Sequence, residues 1–596
     1  MFIGPVFTRE WSISARRPRM YVGRATYPAA LGVLAATAWL VVTGTQWVEQ
    51  VGDFARFGAV VFHLLAFVQL VLVLFFSGVL AAGAAAQEKE RRTLDLLLLT
   101  RMTNSELVLG RLLASLWQVF VMVAAGLPIF MLVALFGGVS FGQIARVFAV
   151  TVVGALVCGS LGSTLALWRE KTFQALSLTI LLPIVWLAGC ELIGGGWLPA
   201  GSLGGMAPAV ATALSPWRAL HEAAQPALSE AGSSPWAASG GAFLIVGAVM
   251  AVLLNGIAIA RVRVWNPSHE REPAAEVDRE TGPEAPGPAT APDHPSVGRL
   301  APRTAAAPRR VWNNPVLWRE VRTWAYGRKT LLIRVVYVLL FAAVVVLQSS
   351  LLGGANLPTA ARATAAAGLF LLSLILLNAQ AVTSMTSERE LKSLDLLLVS
   401  DLSPKEVVFG KLGGAFYNAK EMVVLPLALC ALVAAEGRLN LETAFYLAGG
   451  LLALSVFVAV LGLHAGMIYD NTRHAVAASL GTVFFLLVGV AVCMRMMVAL
   501  SGSFQAQFQP FVAFMIGGGI GLYLALGARN PSAAIAAASA LCPFATFYAM
   551  TSYLMGHYLS ATLVVVGAYG FATAAMLVPA IHEFDVSTGR ATIEEA

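Results

Sequence analysis

Glu88-Lys-Glu-Arg-Arg-Thr-Leu-Asp-Leu-Leu-Leu-Leu-Thr100, continued by Thr103-Asn-Ser-Glu106 and Gly110-Arg111, recurs as Glu388-Arg-Glu-Leu-Lys-Ser-Leu-Asp-Leu-Leu-Leu-Val-Ser400, continued by Ser403-Pro-Lys-Glu406 and Gly410-Lys411. The offset is 300 residues without a gap, and eleven of the twenty-five positions from Glu88 to Leu112 are identical. Each copy is charged and stands between two long apolar runs. The chain therefore reads as two related membrane halves, each carrying the same polar device at the same membrane exit.

Composition agrees with a bilayer as solvent. Hydrophobic residues make up 58% of the chain and charged ones 12%, and the apolar residues come in runs of roughly 18 to 25, the length that spans a membrane. The five cysteines (Cys158, Cys190, Cys430, Cys493, Cys542) stand singly inside apolar runs. Without a CxxC pair or a histidine at ligand spacing they indicate neither a metal site nor a disulfide framework, and they read as small packing residues. Arg9, Arg16, Arg17, Arg19 and Arg24 precede the first apolar run. That arm is too long and irregular for a signal peptide and reads as a cytoplasmic lead-in.

Candidate spans lie at about 25–48, 57–86, 107–136, 143–167, 173–195 and 239–260, then at 330–352, 364–386, 407–434, 443–468, 475–499 and 558–581. The expected fold is thus an all-α polytopic transmembrane protein of about 12 spans. A further apolar stretch at 510–550 either dips in and returns or adds two spans, which would make 14. The N-terminal arm, the 87–106, 168–172 and 387–406 connections and the 261–329 linker hold most of the basic residues, whereas 137–142, 353–363 and 501–509 hold one, Arg362. Basic loops stay cytoplasmic, so both termini and both repeated segments are expected on the cytoplasmic side of the cell membrane. Residues 1–265 and 312–596 form the two halves; between them 266–311, rich in Pro, Ala, Glu, Asp and Arg, reads as a disordered tether.

A second element also repeats. Gly4-Pro-Val-Phe-Thr-Arg9-Glu10 and Asn314-Pro-Val-Leu-Trp318-Arg319-Glu320 precede the first span of each half. Asn314 suits an N-cap with Pro315 at the first helical position, and the mixed aromatic and charged pattern suits a helix lying along the membrane surface.

Within the charged segment, Thr103-x-x-Glu106 and Ser403-x-x-Glu406 match the capping box and mark the start of the third span of each half. Upstream, Thr93-Leu-Asp95 and Ser393-Leu-Asp395 resemble a second N-cap with an acid in the first turn. Two caps so close predict a short helix through Leu96-Leu97-Leu98 and Leu396-Leu397-Leu398, a break, and then the membrane helix. Such a helix at the surface can bury part of its leucines and present the rest to a partner; a connecting turn is the plainer alternative for one copy, and repetition favours the partner.

Inside span nine, Tyr417-Asn418-Ala-Lys420-Glu421 is unusual. Asn418, Lys420 and Glu421 either line a pathway or belong to a helix that begins below the membrane, with Lys420 snorkelling. Glu191, His464 and Arg495 read as interhelical partners or interface anchors.

These residues resemble the permease subunits of type-2 ATP-binding-cassette exporters, the ABC-2 family. Its members have six spans, an amphipathic elbow before the first, and between spans two and three a stretch of the form Glu-x-x-x-Gly-Thr-Leu-Glu-x-Leu-Leu, then Pro-Leu-Ser, Glu and Gly-Lys. The match here is Glu88 to Arg111 and Glu388 to Lys411, with Arg92 and Lys392 replacing the family glycine. Arg169-Glu-Lys-Thr172 and Asp470-Asn-Thr472-Arg473 are similar to its turn between spans four and five, and Ser215-Pro216-Trp217 and Cys542-Pro543-Phe544 to its motif before the last span.

The resemblance implies two six-helix permease bundles fused in tandem, exporting a substrate by alternating access. It implies a partner too, two copies of a separate ABC ATPase carrying ATP-Mg, because this chain has no Gly-x-x-x-x-Gly-Lys-Ser/Thr loop. The implied ATPase-coupling residues are Glu88, Glu90, Leu94, Asp95, Leu96, Leu97 and Glu106, with Glu388, Glu390, Leu394, Asp395, Leu396, Leu397 and Glu406. The implied elbow residues are Arg9, Glu10, Trp318, Arg319 and Glu320. No catalytic residue, resident cofactor, metal or nucleic-acid partner is expected, and the sequence does not name the cargo.

Two other classes compete. A membrane scaffold could anchor an ATPase without transporting anything. An intramembrane hydrolase is suggested by Glu88-x-x-x-Arg92, but only His63 and His464 fall within spans and neither forms a paired motif.

Overall fold

The computed structural model describes residues 5–15, 18–45, 51–194, 207–225, 239–266, 311–322, 330–348, 359–391, 393–394, 402–499, 504–529, 531–582 and 584. Among these the chain is an all-α polytopic membrane protein. Eleven helices are long and apolar enough to cross a bilayer, or twelve when a bent pair is taken as one span.

Before the repeated segment come α1 (Pro5–Ala15), α2 (Pro18–Thr45) and α3 (Val51–Glu90), and within it lies α4 (Thr93–Leu98). After it follow α5 (Asn104–Ala134), α6 (Phe141–Trp168), α7 (Thr172–Gly194), the short α8 (Ala207–Leu214) and α9 (Pro216–Ala224), and α10 (Ser239–Trp265). The second half opens with α11 (Pro315–Arg322), α12 (Leu331–Gln348) and α13 (Thr359–Glu390). Its third span is broken into α14 (Pro404–Asn418) and α15 (Lys420–Ala435), and α16 (Leu441–Ile468) follows. The next span comprises α17 (Thr472–Phe484), a π-turn at Phe485–Gly489 and α18 (Val490–Ala499). The chain then runs through α19 (Phe504–Leu526), α20 (Ala533–Leu554) and α21 (Tyr558–His582).

The repeat is written into the element boundaries. α6 and α16 are both 28 residues long and start 300 residues apart. Each packs closely on the second span of its half: a Cβ on Gly162 would stand 2.4 Å from the Gly78 carbonyl oxygen, and one on Gly462 would stand 2.8 Å from that of Asn378. Small residues at such crossings let backbones approach where no hydrophobic force drives helices together in lipid. One buried cluster then joins the halves, from Val79, Phe173 and Leu176 to Leu372, Leu376, Val458 and Leu480.

Three expectations change. The second span does not end near residue 86; α3 continues to Glu90, because the charged side chains find partners on neighbouring helices and need no loop. Span nine bends by 58° between α14 and α15. There Arg334 of α12 donates to the Asn418 carbonyl (3.2 Å) and the Asn418 amide donates to the Gly414 carbonyl (2.9 Å), side-chain intrusions of the kind that kink helices.

The 510–550 stretch, finally, proves to be two helices that both run the length of the bundle. The end of α19 meets the end of α16 through His464 Nε2 and the Leu526 carbonyl (3.0 Å) and through Arg529 and Asp470. The start of α21, which follows α20, meets the opposite end of α16, where Thr562 donates to the Tyr446 carbonyl (3.1 Å). Of the tether expected over 266–311, only the two ends are described.

Candidate functional site

The repeated segments converge at one end of the bundle, here called the basic end. The last residues of the second span of each half reach three different helices there. Glu88 pairs with the buried Arg111 of α5. Lys89 Nζ donates to the Leu167 carbonyl at the end of α6 (3.0 Å), and Glu90 accepts from the Thr172 backbone N–H at the start of α7 (3.0 Å). In the second copy Lys411 of α14 donates to Glu388 (2.9 Å). Arg389 donates to the Met467 carbonyl (2.6 Å) and Tyr469 carbonyl (3.0 Å) beyond α16, and Glu390 accepts from Thr472 N–H (3.2 Å) and Oγ1 (2.5 Å) of α17.

Helix polarity explains the order of charges. A carboxylate suits the unsatisfied N–H groups where a span begins, and a cation suits the unsatisfied carbonyls where one ends. Glu-Lys/Arg-Glu on one helix end is thus a clasp for spans three, four and five.

The surface helices expected before each half are seated on the third span. Asn314 Oδ1 caps α11 by accepting from Leu317 N–H (2.9 Å), and its amide donates to the Glu406 carbonyl (2.9 Å). Glu320, one turn further on, receives Lys411 Nζ at 2.6 Å, with both side chains only 2% exposed, and Arg319 pairs with Glu388. Gly410 and Gly414 allow this approach, since a Cβ at either would stand 2.7 or 2.6 Å from side-chain atoms of Val316 or Glu320. Trp318 is half-buried on the same helix. In the first half Glu10 lies near enough to Arg111 to act on its charge, Arg9 is exposed, and Trp11 stacks on Trp117 with ring centroids 4.9 Å apart.

The short helix α4 divides its leucines by face. Leu94 and Leu98, one turn apart, are buried against Leu107, Val108, Leu167 and Val262. Leu96 is 65% and Leu99 73% exposed, with Asp95 on the same open side and Leu97 half-buried. Arg263 of α10 fastens the seat by donating to the Leu98 carbonyl (3.2 Å) and to Asn104 (2.8 Å).

Thr93 is not the cap expected of it. Arg92 precedes the helix in the left-handed region (φ 56°), and the Thr93 hydroxyl donates back to the Glu88 carbonyl (3.0 Å), as Ser393 does to Glu388 (3.1 Å). Both capping boxes form as expected, with Glu106 and Glu406 bound to the backbone N–H groups of Thr103 and Ser403. These two glutamates are helix caps at the surface. Leu394 is buried like Leu94, and Asp395, Leu396 and Leu397 lie outside the described residues.

Asn418, Lys420 and Glu421 gather at the span-nine bend. Glu421 pairs with Arg334 (3.4 Å), and the exposed Lys420 sits over the Tyr417 ring (4.9 Å). None of the three lines the cleft between the halves; of their first-half counterparts Gln118, Phe120 and Val121 only Gln118 does, beside Trp117, the counterpart of Tyr417. His63 is bonded to the Ala59 carbonyl of its own helix and His464 to the Leu526 carbonyl, and Glu191 pairs with Arg218, holding that guanidinium protonated to a higher pH than usual through their hydrogen bonds.

Sequence reasoning missed Lys89, Arg389, Arg111, Lys411 and the two threonines as members of the site. Their charge or hydroxyl recurs 300 residues on, the same signal that disclosed the segment itself. No family model matches this sequence, and no curated protein matches it.

Proposed function

We propose that the chain is the membrane permease of an ATP-binding-cassette exporter, two ABC-2-like halves fused in tandem and worked by a separate pair of ATPases. The basic end is then cytoplasmic, as its arginines and lysines favour. The observation that carries the reading is the open face of α4: Asp95, Leu96 and Leu99 project while the rest of the helix is fixed to spans three and six. Two leucines turned outward beside Asp95 at a charged surface suit the apolar cleft of a partner.

A push on this face passes into the third span through its capping box, and through the clasp it reaches spans four and five together. That suits a rigid-body transition between inward and outward states, driven by ATP-dependent closure of the partner. The chain supplies no phosphate loop, so ATP-Mg sits on the partner.

The test is Leu96→Ser with Leu99→Ser. Neither side chain packs in the core, so thermal stability should stay within about 0.5 kcal/mol of wild type. Association with the cassette ATPase that co-purifies from native membranes should fall at least tenfold. Unchanged association in the double variant removes the docking assignment. Binding with ATP turnover but without flux in liposomes would favour the scaffold reading instead.

A further inference from the structure

The basic end also opens into a cleft of about 800 Å³ that the coupling machinery does not use. Its walls come from α1, α2, α3 and α5 of the first half and from α17 of the second. Along α3 it runs from Arg91, just past the helix end, inward to Leu72, about 29 Å at the helical rise of 1.5 Å per residue. That depth is comparable with the hydrocarbon thickness of a bilayer.

The cleft changes character along its length. At the mouth stand Arg9, Arg91, Arg473 and His474, opposed by the carboxylate of Glu10. Deeper, the lining turns to Leu72, Val73, Phe76, Val119 and Met122, and Tyr27 hydrogen-bonds Gln69 behind it (3.1 Å). Arg473 is braced by Gln87 (3.0 Å) and Arg91 by Asn471 (3.2 Å), which fixes both guanidinium groups across the boundary between the halves. A guanidinium has five N–H donors in a planar fork, so one that holds a neighbour can still grip an oxyanion. The feature is one-sided: 300 residues away along the repeat the positions of Gln87, Arg91 and Arg473 are Ser387, Leu391 and Phe173.

We infer that this cleft is a binding site for an anionic amphiphile, its phosphate-type headgroup held between Arg91 and Arg473 and its chain laid along α3 toward Leu72. A soluble anion would use only the mouth, and a neutral apolar molecule would make no use of the excess of positive charge there, where Arg9, Arg91 and Arg473 face Glu10 and, 3.8 Å from Arg91, Glu390. The walls include α1, which lies at the bilayer surface under the proposed orientation, so a lipid can enter sideways. The inference concerns binding alone and stands whether or not the chain exports.

The experiment is titration of the full-length chain in detergent, without ATP, with a fluorescent phosphatidylglycerol, a phosphatidylcholine of the same chain length, and glycerol phosphate as competitor. Phosphatidylglycerol should bind at least tenfold more tightly than phosphatidylcholine, and glycerol phosphate should not displace it. The Arg91→Gln/Arg473→Gln variant should lose the preference, Arg91→Lys/Arg473→Lys should keep most of it, and Ser115→Phe, which fills the cleft from its α5 wall, should weaken both lipids. Equal affinity for the two lipids, or a preference that survives the glutamine variant, overturns the inference. So does displacement by glycerol phosphate, which would mean that the mouth takes a free anion.

Discussion

Three consecutive side chains in each copy reach three different helices, and the second copy adds a buried ion cluster to them. Lys411 is shared by Glu320 and Glu388, so it fastens the surface helix to the third span and both to the end of the second. Removing one member of such a group leaves an uncompensated buried charge, which costs about 3–5 kcal/mol. Lys411→Met should therefore lower the thermal unfolding temperature in detergent sharply. Lys411→Arg should be tolerated, because the first copy already carries Arg111 at that place. Equal stability of the methionine variant and wild type would show the cluster to be ornamental.

Residues of this kind were half legible. Their sequence position announced a polar device, and Thr103/Glu106 and Ser403/Glu406 could be read outright because a capping box is closed within four residues. The partners of Glu88 and Glu90 lie 23 and 82 positions away, across helices, and no local pattern encodes such pairings.

At the scale of elements, the junction of α3 and α4 is where local chemistry and the repeat disagree. The chain must turn there through a left-handed residue, and Arg92 occupies it where ABC-2 permeases carry glycine. That conformation costs an L-residue about 1–2 kcal/mol, offset in a glycine variant by roughly 0.5–1 kcal/mol of extra freedom in the unfolded chain. Arg92→Gly should thus leave stability unchanged or raise it by up to about 1.5 kcal/mol, and Arg92→Val should lower it. Thermal unfolding of the three proteins side by side checks the order; a glycine variant less stable than the valine one contradicts the assignment.

The spans themselves were legible from apolar length alone, to within a few residues at most ends. What could not be read was α3 running on to Glu90, since charge usually marks a membrane exit, and the bend at Asn418, which depends on Arg334 arriving from another helix. The 510–550 stretch was ambiguous for a similar reason. Two apolar helices with a six-residue connection look alike whether they dip or cross, and only contacts with His464 and Asp470 at one end and the path of α21 from the other show that they run along the bundle in opposite directions.

On the scale of the whole molecule, the halves repeat their clasps but not their boundary. Gln87 and Arg91 meet Asn471 and Arg473 on one side, and Arg91 also lies 3.8 Å from Glu390, the buried clasp residue of the other half. These contacts link the two clasps directly, as the proposed transport unit would need. Helix α19 adds to the asymmetry, since it packs along α2 and no helix of its length stands at that place among the described residues of the first half.

The central claim is that force entering at α4 is carried by the clasps to the far ends of the spans. Leu135 and Leu441 stand exposed at those far ends and accept spin labels, while the five native cysteines are buried. The decisive measurement is the distance between labels at these two positions in the chain bound to the ATPase proposed as its partner, with and without ATP. The account predicts that ATP shifts the distance in the wild-type complex, and that Glu90→Gln with Glu390→Gln abolishes the shift while the ATPase stays bound. A shift that persists undiminished in the double variant, or none in the wild type, would contradict it.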